Sequence, residues 1–386
     1  MNQDPTHEHA ALRESVRAFV EGEVAPLSDE LERTRDIPAA LWRKLGALGL
    51  FGLGISETEG GSGGDMLAVL LAWEELAYGS TSVALSTAAH ANLCAHNLSR
   101  NADAEQRARL LPGLLSGERI GALALTEPEA GSDAVGIRTT ARRDGDAFVL
   151  DGSKTLITNA PCADLFLTYA KTASDRGAKG ISAFVVERGS PGLAVSEPIE
   201  KMGCKASPTA QVFFNGCRVP AANLIGEEHG GIDVMMGGLD VERVVMSSLP
   251  IGGARRCLDL CLRYVREREQ FGRPIGEFQL IQAKLADMYT KIEAARQLAH
   301  HAAAGLDELE RGGKGTRIHK LSAAALLFAG EAGNEIAHEA VQIHGGYGFT
   351  DEYEVSRIYR DMRLATLGAG TSEMRRLIIA RELLGV

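Results

Sequence analysis

An α+β chain of three successive units, helical, then β, then helical again, is what this sequence predicts, and three observations carry that prediction. Apolar residues first recur at helix spacing. Near Ala122 the texture changes to short β-prone runs broken by turn dipeptides, and after Gly231 the helical period returns and persists almost to the end. At 386 residues the chain is long enough for two or three compact units, which we place at 1–118, 119–226 and 227–386.

In the first unit Leu12, Val16, Phe19, Val20 and Val24 share one helix face, and Pro26 stops the pattern. Further helices are expected around Ala39 to Leu48 and Met66 to Ala77. The Gly-rich run from Glu59 to Asp65 between them lacks the Gly-Lys-Ser/Thr of a phosphate loop and reads as an inter-helix turn. In the second unit Ile137 to Ala141 and Phe148 to Leu150 flank Asp144-Gly145, a hairpin signal. Leu165 to Ala170, Ile181 to Val186 and Val212 to Phe214 are further strands, the last followed by Asn215-Gly216, and the unit ends near Leu224. The third unit predicts long helices over Leu280 to Ala299 and Arg317 to Gln342, with a kink or break at Pro250.

Composition, 45% hydrophobic and 24% charged, is that of a soluble globular protein, and a net charge of −10 without a basic stripe argues against nucleic acid as partner. No apolar run approaches bilayer length, and the N-terminus has neither a secretory nor a transit pattern. A cytoplasmic protein is expected, or a mitochondrial matrix one already processed. The six cysteines form no C-x-x-C pair, so neither a metal site nor a disulfide framework is expected. Cys257 and Cys261, one helical turn apart, read as small buried apolar residues.

Four segments carry the first chemical signals. Leu125-Thr126-Glu127-Pro128-Glu129-Ala130-Gly131-Ser132-Asp133, the run Lys154 to Asn159, Arg268-Glu269-Gln270-Phe271-Gly272, and Arg360 to Arg376 follow one another along nearly the whole chain. Together they resemble the motifs of acyl-CoA dehydrogenases, in that family's order. The resemblance implies a helical N-terminal domain, a middle β-barrel or sandwich and a C-terminal four-helix bundle, with FAD as cofactor.

Within it, Leu123, Leu125 and Thr126 line the flavin, Gly131 and Ser132 admit backbone and a small donor to phosphate or thioester, and Thr158 lies near flavin N5. Leu156 stands where the family usually has tryptophan beside the flavin edge. Arg268, with Gln270 and Phe271, pairs with the pyrophosphate of a neighbouring subunit's flavin, for which a planar guanidinium fork is suited. Gln279, Gln342, Gly345, Gly346, Thr371 and Glu373 complete the dinucleotide contacts. His344 in the same motif reads as a packed residue. A flavin site shared between subunits implies a homotetramer, and the family implies an electron-transferring flavoprotein as acceptor.

Most of the family reads Y-E-G-T-S near the C-terminus, with glutamate as the base for the substrate's α-proton. Here the same positions are Gly368, Ala369, Gly370, Thr371 and Ser372, and neither Gly368 nor Ala369 accepts a proton. The stretch Gly237 to Arg243 resembles the G-L-D-x-E-R of isovaleryl-CoA dehydrogenases, in which a glutamate on this helix is the base. The resemblance therefore assigns the base to Glu242, leaves Ala369 as the loop's N–H donor to the thioester oxygen, and makes Asp240, Arg243, Met246, Gly368 and Gly370 substrate contacts beside Ser132. Burial is expected to raise the Glu242 pKa. The expected reaction is α,β-dehydrogenation of a short or branched acyl-CoA to the 2-enoyl thioester. The motifs are equally compatible with an acyl group on a carrier protein, and a non-catalytic thioester-binding homologue is the alternative from another class.

Overall fold

Apolar positions of the first helices, among them Val16, Val20 and Val24, point inward because they recur every three to four residues, and this drives the N-terminal unit of the structure, a computed structural model describing residues 6–312 and 318–385. Helix α1 (His7–Phe19) starts on a Thr6 capping box and runs on through a π-helical turn, Val20–Val24, until Pro26 breaks it. There follow α2 (Ser28–Thr34), α3 (Ala39–Ala47), α4 (Met66–Gly79), α5 (Thr81–Ala88), α6 (His96–Asn101) and α7 (Ala104–Leu115). A second π-helical turn, Ala89–Ala95, joins α5 to α6. The Gly-rich run is a turn, as expected: the N–H groups of Ser62, Gly63 and Gly64 close back on the carbonyls of Gly52, Ile55 and Leu53.

The middle unit holds β1 (Gly121–Ala124), β2 (Thr140–Asp144), β3 (Ala147–Thr158), β4 (Leu165–Lys171), β5 (Ile181–Glu187), β6 (Leu193–Val195), β7 (Thr209–Pro220) and β8 (Leu224–Ile225). They form one mixed sheet in the order β6-β7-β3-β2-β4-β5-β8, with β1 parallel to β4. The β2–β3 hairpin forms as expected, Asp144 opposite Ala147, with its strand beginning at Thr140 instead of Ile137. Asn215-Gly216 does not end its strand. Gly216 takes φ +57 where the register between β3 and β7 shifts, so the dipeptide makes a bulge inside a twelve-residue strand. Alternate residues of β4 face opposite ways: Leu165, Leu167 and Tyr169 pack on the helices, while Phe166 and Ala170 fill the β core.

The last unit contains α8 (Gly231–Glu267), a short hairpin of β9 (Glu269–Gln270) and β10 (Arg273–Pro274), α9 (Gln279–Glu310), α10 (Ile318–His344), α11 (Glu354–Met362) and α12 (Ser372–Leu384). The expected start of α10 at Arg317 lies outside the described residues. Pro250 does not break its helix; α8 runs through it for 37 residues. The hydroxyls of Ser247 and Ser248 donate to the carbonyls of Val244 and Val245 at 2.6 Å each, and the absence of a side chain at Gly333 of α10 leaves room for the proline ring. Packing on both sides thus overrides the local preference. A buried ion cluster joins the units: Glu74 and Glu75 of α4 meet Arg13 of α1, Arg255 of α8 and Arg296 of α9. Cys257 and Cys261 are free and buried. Among the described residues no helix is long and apolar enough to cross a membrane and no cluster has the ligands for a metal ion.

Candidate functional site

The loop after β1 is set by a buried ion pair. Lys154, fully enclosed on β3, donates to the Glu127 carboxylate at 2.7 Å and to the Leu125 carbonyl at 3.1 Å. Glu127 also accepts the N–H groups of Arg138 and Thr139, at 2.5 and 3.0 Å. Burial pushes the Glu127 carboxyl up, but the Lys154 charge and these hydrogen bonds outweigh it and hold the group below its ordinary value. Burial lowers the Lys154 ammonium to about 8. No role was assigned to this pair from the sequence, although both residues lie in the quoted motifs.

What the pair fixes is a set of free donors. Thr126 uses its carbonyl on the Thr155 N–H at 2.9 Å, while its own N–H and hydroxyl have no acceptor among the described residues. The Thr158 hydroxyl at the end of β3 is likewise unused, and Ser132 is exposed. A Cβ on Gly131 would meet nothing, so the chain's own packing does not require glycine there. Leu123 is half-buried on β1 and Leu125 is buried. Leu156 sits at a register irregularity between β3 and β7 with φ +57 and is 60% exposed, so it reaches outward.

A second set gathers elsewhere. Arg268, Gln270, Phe271, Gln279, Gly345 and Gly346 line one groove of about 1180 Å³ on the last unit, with Tyr264 and Tyr347. The Arg268 guanidinium lies 5.6 Å from the Tyr347 ring centroid, and Phe271 is 93% exposed at φ +54. Gln342, Thr371 and Glu373 are not in its walls, nor is any residue of the β1–β3 set. Thr371 caps α12 through the Met374 N–H. His344 is packed, its Nδ1 on the Ala340 carbonyl and its ring stacked on Tyr264.

The third set surrounds Glu242 on α8. This glutamate is half-buried by surface yet densely surrounded by protein, and among the described residues its carboxylate has no hydrogen-bond partner. Burial raises its pKa to about 7 against the opposing charges of Arg243 and Arg375. Arg243 is buried and pairs with Asp240 at 2.9 Å; Asp240 in turn takes the Ser322 hydroxyl at 3.0 Å and His319 at 2.5 Å. Asp240 therefore ties α8 to α10, and its oxygens face protein rather than a substrate. Met246 is buried in the helical core with Val245 and Leu249, which makes it a packing residue instead of a pocket cap.

The loop before α12 carries Gly368, Ala369 and Gly370. Ala369 and Gly370 take φ +54 and +88, and the Ala369 N–H donates to no group among the described residues. A left-handed alanine costs on the order of 1 kcal/mol, a cost a structural loop would avoid with glycine. Arg375, missed from the sequence, holds this loop. The sequence gives no sign that separates it from Arg376; only the docked helix does, with Ser372 and Arg375 three apart on α12 and both buried, whereas Arg376 is exposed.

Comparison with known proteins gives the same direction. Family models described as acyl-CoA dehydrogenase N-terminal, middle and C-terminal domains match residues 6–118, 122–217 and 229–384. A mitochondrial isovaleryl-CoA dehydrogenase from Oryza sativa subsp. japonica is 43% identical over 382 residues, 98% of this chain and 91% of that one. Butyryl-CoA dehydrogenase from Megasphaera elsdenii superposes with a TM-score of 0.94 at 36% identity, covering 100% of both chains. The prolyl acyl carrier protein oxidase AnaB does so with a TM-score of 0.92 at 32% identity, over 99% of this chain and 100% of that one.

Proposed function

This chain belongs to the acyl-CoA dehydrogenase family and is an FAD-dependent acyl-CoA dehydrogenase, and we propose that it acts on short branched acyl-CoAs of the isovaleryl type with Glu242 as its base. The cofactor fits the residues present. Thr126 and Thr158 offer hydrogen bonds the chain does not use, Gly131, Gly345 and Gly346 leave open space where a Cβ would intrude on a ligand, and Arg268 offers a fork for pyrophosphate. FAD supplies the acceptor for the hydride that leaves the β-carbon.

The chain's own residues do the rest. A thioester α-proton is too weakly acidic for a carboxylate unless charge on the carbonyl oxygen is met by donors already in place. The free Ala369 N–H is suited to that oxygen. Glu242, with no hydrogen bond to compete for its lone pairs and a pKa near 7, then takes the α-proton. The observation that carries the reading is this unbonded, half-buried glutamate, within the field of the Arg375 that holds a loop in which Ala369 stands where the family pattern has glutamate. The small side chains at Gly368 and Ala369 leave width beside the reacting carbons, which supports a branched acyl group.

The test is anaerobic bleaching of the yellow enzyme by a panel of short, branched and long acyl-CoAs. Wild type is expected to bleach fastest with a short branched member, and Glu242→Gln to bind flavin normally but bleach roughly 10²-fold more slowly or worse. Bleaching near the wild-type rate in that variant would remove the assignment. The likeness to AnaB supports a second reading in which the acyl group rides on a carrier protein; bleaching by carrier-loaded but not CoA-loaded acyl groups selects it. We include in the proposal a homotetramer, in which exposed Phe271 and the Arg268 groove complete a neighbour's flavin site, and an electron-transferring flavoprotein as acceptor. A monomer by light scattering would overturn the first of these, and failure of that acceptor to reoxidise the flavin the second.

A further inference from the structure

We propose that Arg375 is a positioning residue whose single guanidinium both braces the loop carrying the Ala369 N–H and balances the Glu242 carboxylate. The inference rests on Glu242 being the base. Arg375 is 0% exposed. One terminal nitrogen donates to the Ala365 carbonyl at 2.8 Å and the other to the Gly368 carbonyl, so the fork spans the loop just before Ala369. Its Nε has no partner.

Carbonyl dipoles satisfy N–H groups but do not cancel a buried charge, and a guanidinium keeps its charge at any working pH. The anions whose fields reach Arg375 are Glu242, Glu331 and Glu373. Glu331 is bound to Arg376 at 2.7 Å and Glu373 is exposed, so Glu242 is the buried counter-charge. The reverse holds for Glu242. The charges that act on it are Arg243 from its own helix and Arg375 from α12, and its own charge reaches the buried Tyr169 of β4, whose hydroxyl lies beside Asn97. The Arg243 charge is largely met by Asp240, itself beside His319. Beside Arg243 on its own helix, Arg375 is the cation that acts on the base from a second element, attached to the loop that must receive the thioester oxygen. Proton acceptor and N–H donor are thereby referred to one rigid group.

The experiment is an infrared pH titration of the flavin-loaded enzyme, with the protonated-carboxyl band of Glu242 identified by its loss in Glu242→Gln. Removing the charge in Arg375→Gln disfavours the carboxylate, so the midpoint is expected to rise by about one unit or more. Arg375→Lys keeps the charge and is expected to recover at least half of that shift. Should the glutamine variant fail to fold, Arg375→Met, neutral and of similar length, repeats the measurement. A Glu242 midpoint unmoved in a folded, yellow, neutral variant overturns the proposal and leaves Arg375 as a loop brace only. Normal bleaching by Glu242→Gln would instead remove the base assignment without altering the titration, so the two failures are distinct.

Discussion

Two enclosed glutamates in this molecule have opposite surroundings. Glu127 receives an ammonium and two backbone N–H groups and is held below its ordinary pKa; Glu242 receives no hydrogen bond and is pushed up to about 7. Burial acts on both in the same direction, so burial alone does not distinguish them. What differs is whether the lone pairs are occupied. A carboxylate whose acceptor sites are filled fixes a loop and is chemically inert, whereas one left bare keeps its lone pairs for an incoming proton at the cost of stability.

Breaking the first environment should have the largest effect. Lys154→Met removes the ammonium and leaves Glu127 charged with only backbone donors. We expect a loss of about 3–5 kcal/mol in denaturant unfolding, with weaker flavin retention because Thr126 loses its support. Adding Glu127→Gln should return part of that loss. A change under about 1 kcal/mol for the single variant would mean the pair is not the anchor its burial implies.

The second environment predicts a pH dependence. A base that must be unprotonated is limiting below its pKa, so the bleaching rate per free enzyme should fall about tenfold per unit below pH 7, reaching about 10²-fold at pH 5. Glu127, already ionised throughout this range, contributes no limb. A flat profile between pH 5 and 7 would show that Glu242 does not gate the reaction.

Much of this contrast was legible in the sequence, though unequally. Glu242 could be proposed as the base because its presence coincides with the absence of glutamate at Ala369, two local oddities with one explanation. The three-unit order followed from periodicity. Pro250 does not break its helix and the strand runs on through Asn215-Gly216 because local preferences are real but weak: the room at Gly333 and the β3–β7 ladder outweigh them. Met246 and Asp240 share the helix of Glu242, but the neighbours each one packs against are set by the docked helices and are not visible in the spacing. Arg375 was hidden beside Arg376, since two adjacent arginines give no sign of which is inside until the helix is docked.

The smallest expected effect is also the one that tests the contrast without any chemistry. A carboxyl whose folded pKa lies above its unfolded value favours the protonated folded state. Its stabilisation is therefore complete below about 4.5 and lost as pH rises through about 7. Glutamine at 242 mimics the protonated form at every pH. A rise from 4.5 to about 7 corresponds to on the order of 3 kcal/mol, reduced to about 2 because Glu242 keeps partial solvent access. Glu242→Gln should thus unfold at higher denaturant than wild type at pH 8, and the difference should shrink toward zero as pH falls to 4.5. Glu127→Gln should go the other way, losing stability at pH 8, because there the charged form is the one the fold prefers. Equal signs for the two variants would mean that filled and empty acceptor sites do not divide these glutamates into a brace and a base.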